Sequence, residues 1–174
     1  MLSQFQGMFL PAGMGTEAYS TDVDFASIIY GPLQHCLLAP YAVISSDAAD
    51  AGNTGNTAVL RGGLVMARAT VASGNTLVGE WVPFANGGAN GSGVAVGILL
   101  WAGLSMLQGG ANVKRLMGAI LVKGNVQAKA CCLAASATYG LATTGAGLKV
   151  RQDLLYNISF DDDITAKLSR PTPI

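Results

Sequence analysis

The chain has 174 residues, a formal net charge of zero at pH 7, 51% hydrophobic residues and only 11% charged residues. This length is enough for one domain with its own core, but a typical soluble domain carries about 25% charged residues. Since charge keeps a monomer soluble and unassociated, the composition excludes a strongly charged, freely solvated domain. It predicts a surface covered by an oligomer, an assembly or a membrane.

A membrane span is the least supported of these three. The longest apolar run, residues 93–107, is shorter than the roughly 20 residues that a spanning helix needs, and it contains three glycines. No basic residue precedes the apolar part of the N-terminus, so no signal peptide is predicted. The three cysteines, at 36, 131 and 132, are too few and too oddly placed for a disulfide framework. We expect a protein made in a reducing cytoplasm, with no membrane partner.

The charges are distributed unevenly along the chain. Five acidic residues and no Lys or Arg precede Arg61. In the stretch between Glu80 and Asp153, by contrast, all the charged residues are basic. The two regions either meet, within one chain or between neighbours, or are solvated separately. The basic residues are spread out and not interleaved with aromatic ones, so no direct contact with nucleic acid is predicted.

Residues 1–56 predict an extended N-terminal arm and linker that precedes the domain. Glycine and proline interrupt this segment repeatedly, but its three apolar clusters distinguish it from a disordered tail. Such an arm would dock on a partner, and its removal up to about residue 50 should leave a folded core. The arm residues expected to contact the partner are Phe5, Met8, Phe9, Leu10, Phe25, Ile28, Ile29 and Tyr30.

The core is expected over residues 57–164, with an exposed tail at 165–174. Short apolar or alternating runs bounded by turn residues predict five strands. The predicted strands cover residues 60–71, 77–84, 94–99, 116–126 and 148–160. Only residues 128–139, which are rich in Ala and Leu, predict a helix. The fold class is therefore mainly β (a β-rich α+β fold): a small compact β domain with one short helix, preceded by a long extended arm.

Two patterns could carry chemistry, and neither supports it well. The glycines of residues 91–97 precede a strand, whereas a dinucleotide-binding loop follows a strand and opens a helix. His35 adjoins Cys36, but zinc sites usually contain cysteines paired at a spacing of two to four residues, and this chain has no such pair. We therefore predict no catalytic residue, no metal ligand and no cofactor.

Three short segments follow one another in an order that carries a family resemblance. They are WVPF at residues 81–84, NGSGVAVGIL at 90–99 and AILVKG at 119–124. The series resembles the lambda-type bacteriophage head decoration (capsid cement) proteins over residues 60–124. The chain departs from the family in two places. Just after residue 99 the family commonly has acidic residues and this chain has none, and the apolar arm of this chain is longer than expected of a minimal family member. The residues that carry the resemblance are Trp81, Val82, Pro83, Asn90, Gly91, Val94, Ala95, Val96, Gly97, Ile98 and Leu99.

The resemblance implies a structural protein with no enzymatic activity. It implies homotrimers on the outside of an icosahedral head, an arm on the shell, and stabilisation of the capsid against the pressure of packaged DNA. The partners would be the major capsid protein and other copies of the chain, and the location would be the virion exterior after synthesis in the host cytoplasm.

Apolar residues beside glycine turns suggest where the copies would meet. Because a monomer rarely leaves an apolar patch open, we expect Trp101, Leu104 and Leu107 at the subunit interface. Two alternatives stay open. One is another virion structural protein, such as a shell or tail-tube subunit. The other is a small metal-binding or enzymatic module built on His35, Cys36 and the two cysteines at 131 and 132.

Overall fold

The computed structural model describes residues 28–30, 35–101, 103–108, 111–112 and 115–162. These ranges are mainly β and contain one complete α-helix, so the predicted fold class is confirmed. The strands are β1 (Leu37–Ser45), β2 (Val59–Leu60), β3 (Val65–Arg68), β4 (Trp81–Pro83), β5 (Ala95–Leu99), β6 (Leu104–Ser105), β7 (Leu107–Gln108), β8 (Ala111–Asn112), β9 (Arg115–Val126) and β10 (Ile158–Phe160). The helix α1 spans Gly145–Leu154.

Five of these strands close into a barrel. Their order is β1–β4–β3–β5–β9, and the pairing of β9 with β1 closes the ring. Every pairing is antiparallel except that of β1 with β4. Four of the five predicted strand regions thus contain strands of the barrel, although β3 and β4 are shorter than predicted, and the fifth region, 148–160, ends in β10.

Strand β9 is the longest strand and pairs with three others, β1, β5 and β10. One of its edges pairs with β1, from Leu37 opposite Lys123 to Ser45 opposite Arg115. Its other edge pairs with β5 and then, in parallel, with β10. The chain before β1 follows the first edge as well, because Ile29 forms an antiparallel bridge with Val126.

Both faces of the sheet contribute side chains to buried cores. Alternate residues of β3 enter different cores: Val65 and Ala67 pack toward α1 and β10, whereas Met66 packs inside the barrel. We call the first group the helix-side core and the second the inner core. Side chains from all five barrel strands meet in the inner core, including Ala42, Ile44, Met66, Trp81, Leu99 and Ile120.

The predicted helix at residues 128–139 is wrong, apart from a single 3-10 turn at Ala128–Ala130. Cys131 lies in the helix-side core and Cys132 in the inner core, so this segment alternates between the two as an extended chain does. The α-helix instead occupies part of the region predicted as a strand at 148–160. There Val150 and Leu154, four residues apart, are both buried on one helix face.

The predicted boundary at residue 56 is also wrong. Strand β1 lies within residues 1–56, yet it closes the barrel and places Ala42 and Ile44 in the inner core. Part of the predicted arm is thus needed by the domain itself. Residues 1–27 and the predicted tail at 165–174 lie outside the described residues.

Candidate assembly surfaces

The residues that carry the family resemblance build the centre of the barrel. Trp81 packs in the inner core, with the Arg68 guanidinium 5.5 Å from the centre of its ring. A Cβ at Gly97 would lie 2.6 Å from Ile120 Cγ2, so only glycine allows β5 and β9 to approach this closely. Ala95, Ile98 and Leu99 are buried; Val82, Pro83 and Val96 are half-buried; and Val94 is exposed.

The turn that precedes β5 explains the remaining motif residues. Asn90 and Gly91 have φ values of 58° and 90°, in the left-handed region that asparagine and glycine tolerate best. The Thr70 backbone N–H donates to the Asn90 carbonyl at 2.8 Å, which attaches this turn to the end of β3. The motif therefore specifies the framework of the barrel.

The arm residues fall into three groups. Ile28, which is fully buried, and Ile29 lie in the helix-side core, so neither can contact a partner in this fold. The Gln127 backbone N–H donates to the Ile28 carbonyl at 2.8 Å, which holds this part of the chain on β9. Tyr30 is exposed. Phe5, Met8, Phe9, Leu10 and Phe25 lie outside the described residues.

The three predicted interface residues differ in exposure. Leu104 is only 4% exposed and belongs to the inner core, so its expected role between subunits is wrong. Trp101 is half-buried against the same core, and Leu107 is exposed. Glycine turns beside an apolar residue do not reveal which way its side chain points.

Residues considered for chemistry lie in different environments. His35 is exposed and Cys36 half-buried, whereas Cys131 and Cys132 are fully buried. Burial raises the pKa of Cys132 to about 12 and that of Cys131 further, so both remain protonated thiols at neutral pH. Within the described residues, no three His, Cys, Asp or Glu side chains are grouped so that they could hold a metal ion.

Exposed apolar side chains occur on the β1–β9 pair near the start of β9 and in the loop between β3 and β4, which is hydrogen-bonded to β1 and β9. Val43 of β1 lies opposite Met117 of β9, and both side chains are exposed. The loop between β3 and β4 adds three exposed aliphatic residues, of which Val78 is 64% exposed. We call this set the hairpin platform: Val43, Val71, Leu77, Val78 and Met117.

Two polar contacts fix the loop over the neighbouring strands. The buried hydroxyls of Ser45 and Thr76 are 2.7 Å apart. The Asp47 carboxylate accepts hydrogen bonds from the Asn75 backbone N–H at 2.7 Å and from its side-chain amide at 2.9 Å. These bonds lower the pKa of Asp47.

A third contact is an ion pair at the base of the loop. Glu80 accepts the Leu77 backbone N–H at 2.8 Å and pairs with the Arg115 guanidinium. Ser45 and Arg115 lie two residues from Val43 and Met117 along their strands, so their side chains share one sheet face with those two residues. The loop is therefore ordered before any partner binds, which lowers the entropy cost of binding.

A second apolar surface lies on α1. Leu148, Gln152 and Leu155 follow one helix face, and all three are exposed and uncharged. Tyr156, which is 91% exposed, extends this surface beyond the helix. We call Leu148, Leu155 and Tyr156 the helix face.

The platform was missed in the sequence because its three loop residues, Val71, Leu77 and Val78, follow no helix or strand period. The available signal was the composition around the turn, where aliphatic residues flank the polar segment 73–76 directly. Whether such residues are buried depends on what the loop packs against, which a local pattern does not contain.

No family model, curated protein or solved structure matches the chain. None of the helices in the described ranges has the length and apolar character needed to cross a membrane.

Proposed function

We propose that the protein is a non-enzymatic decoration (cement) protein that binds the outside of an icosahedral phage capsid and stabilises it against the pressure of packaged DNA. The observation that carries this proposal is the hairpin platform, a braced loop that presents exposed aliphatic side chains. Extended exposed apolar surface usually marks an interaction site. The family resemblance of residues 60–124 supports a capsid as the partner.

The barrel suits a role in which the protein must resist deformation. Because β9 pairs with β1, the five barrel strands form a closed ring, and closure removes the free edges that would otherwise pair with other chains. Binding would depend on side-chain contacts at the platform with the major capsid protein. In a homotrimer, three such contacts act together, and effective concentration raises the overall affinity. The proposal includes no direct contact with nucleic acid and no membrane.

A second structural role is favoured by the presence of two separate apolar surfaces. A subunit of a shell or tail tube must contact neighbours on more than one side, and the platform and the helix face are distinct parts of the chain. Purified protein that forms shells, tubes or sheets would favour this alternative, whereas a soluble trimer in light scattering would favour decoration.

The platform can be tested with matched double variants. Leu77→Ser/Val78→Ser removes two exposed aliphatic side chains of the platform, and Leu155→Ser/Tyr156→Ser makes the same kind of change on the helix face. Both variants should keep the melting temperature of the parent, since all four side chains are exposed. Only the first should lose most of its co-sedimentation with undecorated heads of the phage that encodes the chain. Undiminished co-sedimentation would disprove the role of the platform.

A further inference from the structure

Two asparagine–glycine dipeptides lie in the loop that joins β4 to β5, and the sequence contains no other dipeptide of this kind. Such a dipeptide is chemically labile, because glycine has no side chain to shield its backbone nitrogen from the asparagine side chain before it. That nitrogen can attack the side-chain carbonyl carbon, Cγ, which leads to conversion of the amide into a carboxylate. The structure places the two dipeptides, Asn86–Gly87 and Asn90–Gly91, in different environments.

The first dipeptide forms the free tip of a tight turn. The Gly88 backbone N–H donates to the Ala85 carbonyl at 2.8 Å, so Asn86 and Gly87 are the two central residues of this turn. Both are exposed, and a Cβ added to Gly87 would meet no atom within 4 Å. Within the described chain, the peptide between these two residues forms no hydrogen bond. Turns of types I and II differ by a rotation of this central peptide, so it can rotate while the closing hydrogen bond is kept.

The second dipeptide is held against the end of β3. The Asn90 carbonyl accepts a hydrogen bond from the Thr70 backbone N–H at 2.8 Å. Gly91 lies so close to this strand that an added Cβ would be 2.3 Å from the Arg68 carbonyl oxygen. Attack on the Asn90 side chain requires rotation about its Cα–C bond, which would turn the Asn90 carbonyl away from Thr70. The fold therefore opposes the reaction at the second dipeptide and permits it at the first.

We propose that Asn86 is a site of spontaneous deamidation and that the fold protects Asn90 from the same reaction. The Gly87 nitrogen loses its proton to a solvent base and bonds to Asn86 Cγ, and the side-chain nitrogen leaves as ammonia. Water then opens the resulting cyclic imide at either of its carbonyl carbons, which gives an aspartate or an isoaspartate. One water molecule is consumed, one ammonia is released, and nothing is oxidised or reduced.

The product adds one negative charge to a chain whose formal net charge is zero. This charge appears at the tip of an exposed loop, whereas the hydrogen bond from the Ala85 N–H to the Ser92 carbonyl, at 3.0 Å, holds the base of the loop. The barrel should therefore stay intact, and older copies of the protein should differ from newer ones by charge alone. This inference does not depend on the proposed capsid function.

Incubation of the full chain in mildly alkaline buffer made with heavy-oxygen water tests the proposal. Because hydrolysis incorporates oxygen from water, fragment ions in tandem mass spectrometry show which asparagine has reacted. We expect Asn86 to react at least about 5-fold faster than Asn90, the factor in rate that corresponds to the loss of one hydrogen bond. In guanidinium chloride, where the fold is lost, both should react at similar rates. The proposal is wrong if Asn90 reacts as fast as Asn86 in the folded protein, or if Asn86 reacts only in the unfolded chain.

Ion-exchange chromatography of two variants supplies a second measurement. Asn86→Asp carries the expected charge from the start and should elute with the aged parent protein. Asn86→Gln keeps the amide but would have to form a larger ring, which closes more slowly, so it should stay at the position of the fresh parent. Both variants should keep the melting temperature of the parent, since the side chain is exposed. Formation of an acidic species by Asn86→Gln at the parent rate would overturn the proposal.

Discussion

Two arginine–carboxylate pairs join distant parts of this chain, and they differ in depth. Arg61 binds both oxygens of Asp50, at 2.6 and 2.8 Å, and its side chain is 10% exposed while that of Asp50 is fully buried. Arg115 pairs with Glu80, but its side chain is 39% exposed. We call the first pair the deep clamp and the second the shallow brace.

Their surroundings explain the difference in their roles. The guanidinium of Arg61 also donates to the carbonyls of Leu133 and Ser136, at 3.2 and 2.7 Å. The deep clamp therefore joins the segment after β1 to the turn at residues 133–136, which follows the 3-10 turn. The hydrogen bonds to Asp50 raise the pKa of Arg61 above its ordinary value, so its guanidinium is charged at neutral pH. The shallow brace joins the loop between β3 and β4, which carries three of the platform residues, to the first residue of β9.

The largest expected effect comes from removing β1 together with half of the deep clamp. Deleting residues 1–50 removes the strand that closes the barrel and removes Asp50, so we expect an unfolded or molten chain. Deleting residues 1–27 leaves every described contact in place and should preserve a cooperative thermal transition in circular dichroism. The sequence predicted a folded core after the longer deletion, whereas the structure predicts an unfolded one. A cooperative transition in the 51–174 fragment would show that β1 is dispensable.

Breaking the deep clamp alone should have the next largest effect. Asp50→Ala leaves the Arg61 guanidinium buried without its carboxylate, and removal of one partner from a buried pair costs about 3–5 kcal/mol. Urea denaturation measures this loss. As a control, the double variant Asp50→Ala/Arg61→Ala removes both charges and should be more stable than Asp50→Ala. A loss below about 1 kcal/mol in Asp50→Ala would mean that the clamp does little for the free energy of unfolding.

The sequence revealed strands better than it revealed the clamps. Strands β5 and β9 are apolar or β-branched runs between turn residues, which is a local signal. Strand β1 was hidden because Pro40 interrupts it and a polar, glycine-containing segment follows. Asp50 lies in that segment and resembles a solvated linker residue until the fold brings Arg61 to it.

The helix was missed for a related reason. Val150 and Leu154 fit a helix at a spacing of four, and Lys149 and Asp153 form an ion pair at the same spacing. Residues 148–151 also alternate in polarity, as a strand does, so the local pattern supports both structures. Packing of this segment against β5 and β10 decides between them. The exposure of the platform likewise depends on tertiary contacts.

Breaking the shallow brace should cost much less than breaking the deep clamp. Glu80→Gln retains an acceptor for the Leu77 N–H but loses the ion pair, and the partly exposed Arg115 can be hydrated instead. We expect a loss of about 1 kcal/mol or less in urea denaturation, partly screened by salt. Asp50→Asn is the matched change at the deep clamp and should be clearly more destabilising. Equal losses in the two variants would remove the distinction between the clamp and the brace.

The smallest expected effect concerns Asp47, which fixes the turn of the same loop by hydrogen bonds alone. The Asn75 side chain and backbone N–H hold the pKa of Asp47 below its ordinary value of 3.8. Because the folded-state pKa is lowered, the stabilisation is fully present above the unfolded value and is lost as the pH falls through the folded value. The Asn75 amide should therefore report this protonation in an NMR titration from about pH 6 to about pH 2.

The substitution Asp47→Asn removes the titrating group while keeping the size of the side chain. In this variant the Asn75 amide should lose the transition seen in the parent, and the melting temperature at neutral pH should hardly change because Asp47 is exposed. An unchanged titration in the variant would assign the transition to another carboxylate. A large fall in melting temperature would mean that this end of the loop stabilises the barrel itself. The contacts of the loop would then contribute to the stability of the whole fold, as those of the deep clamp do.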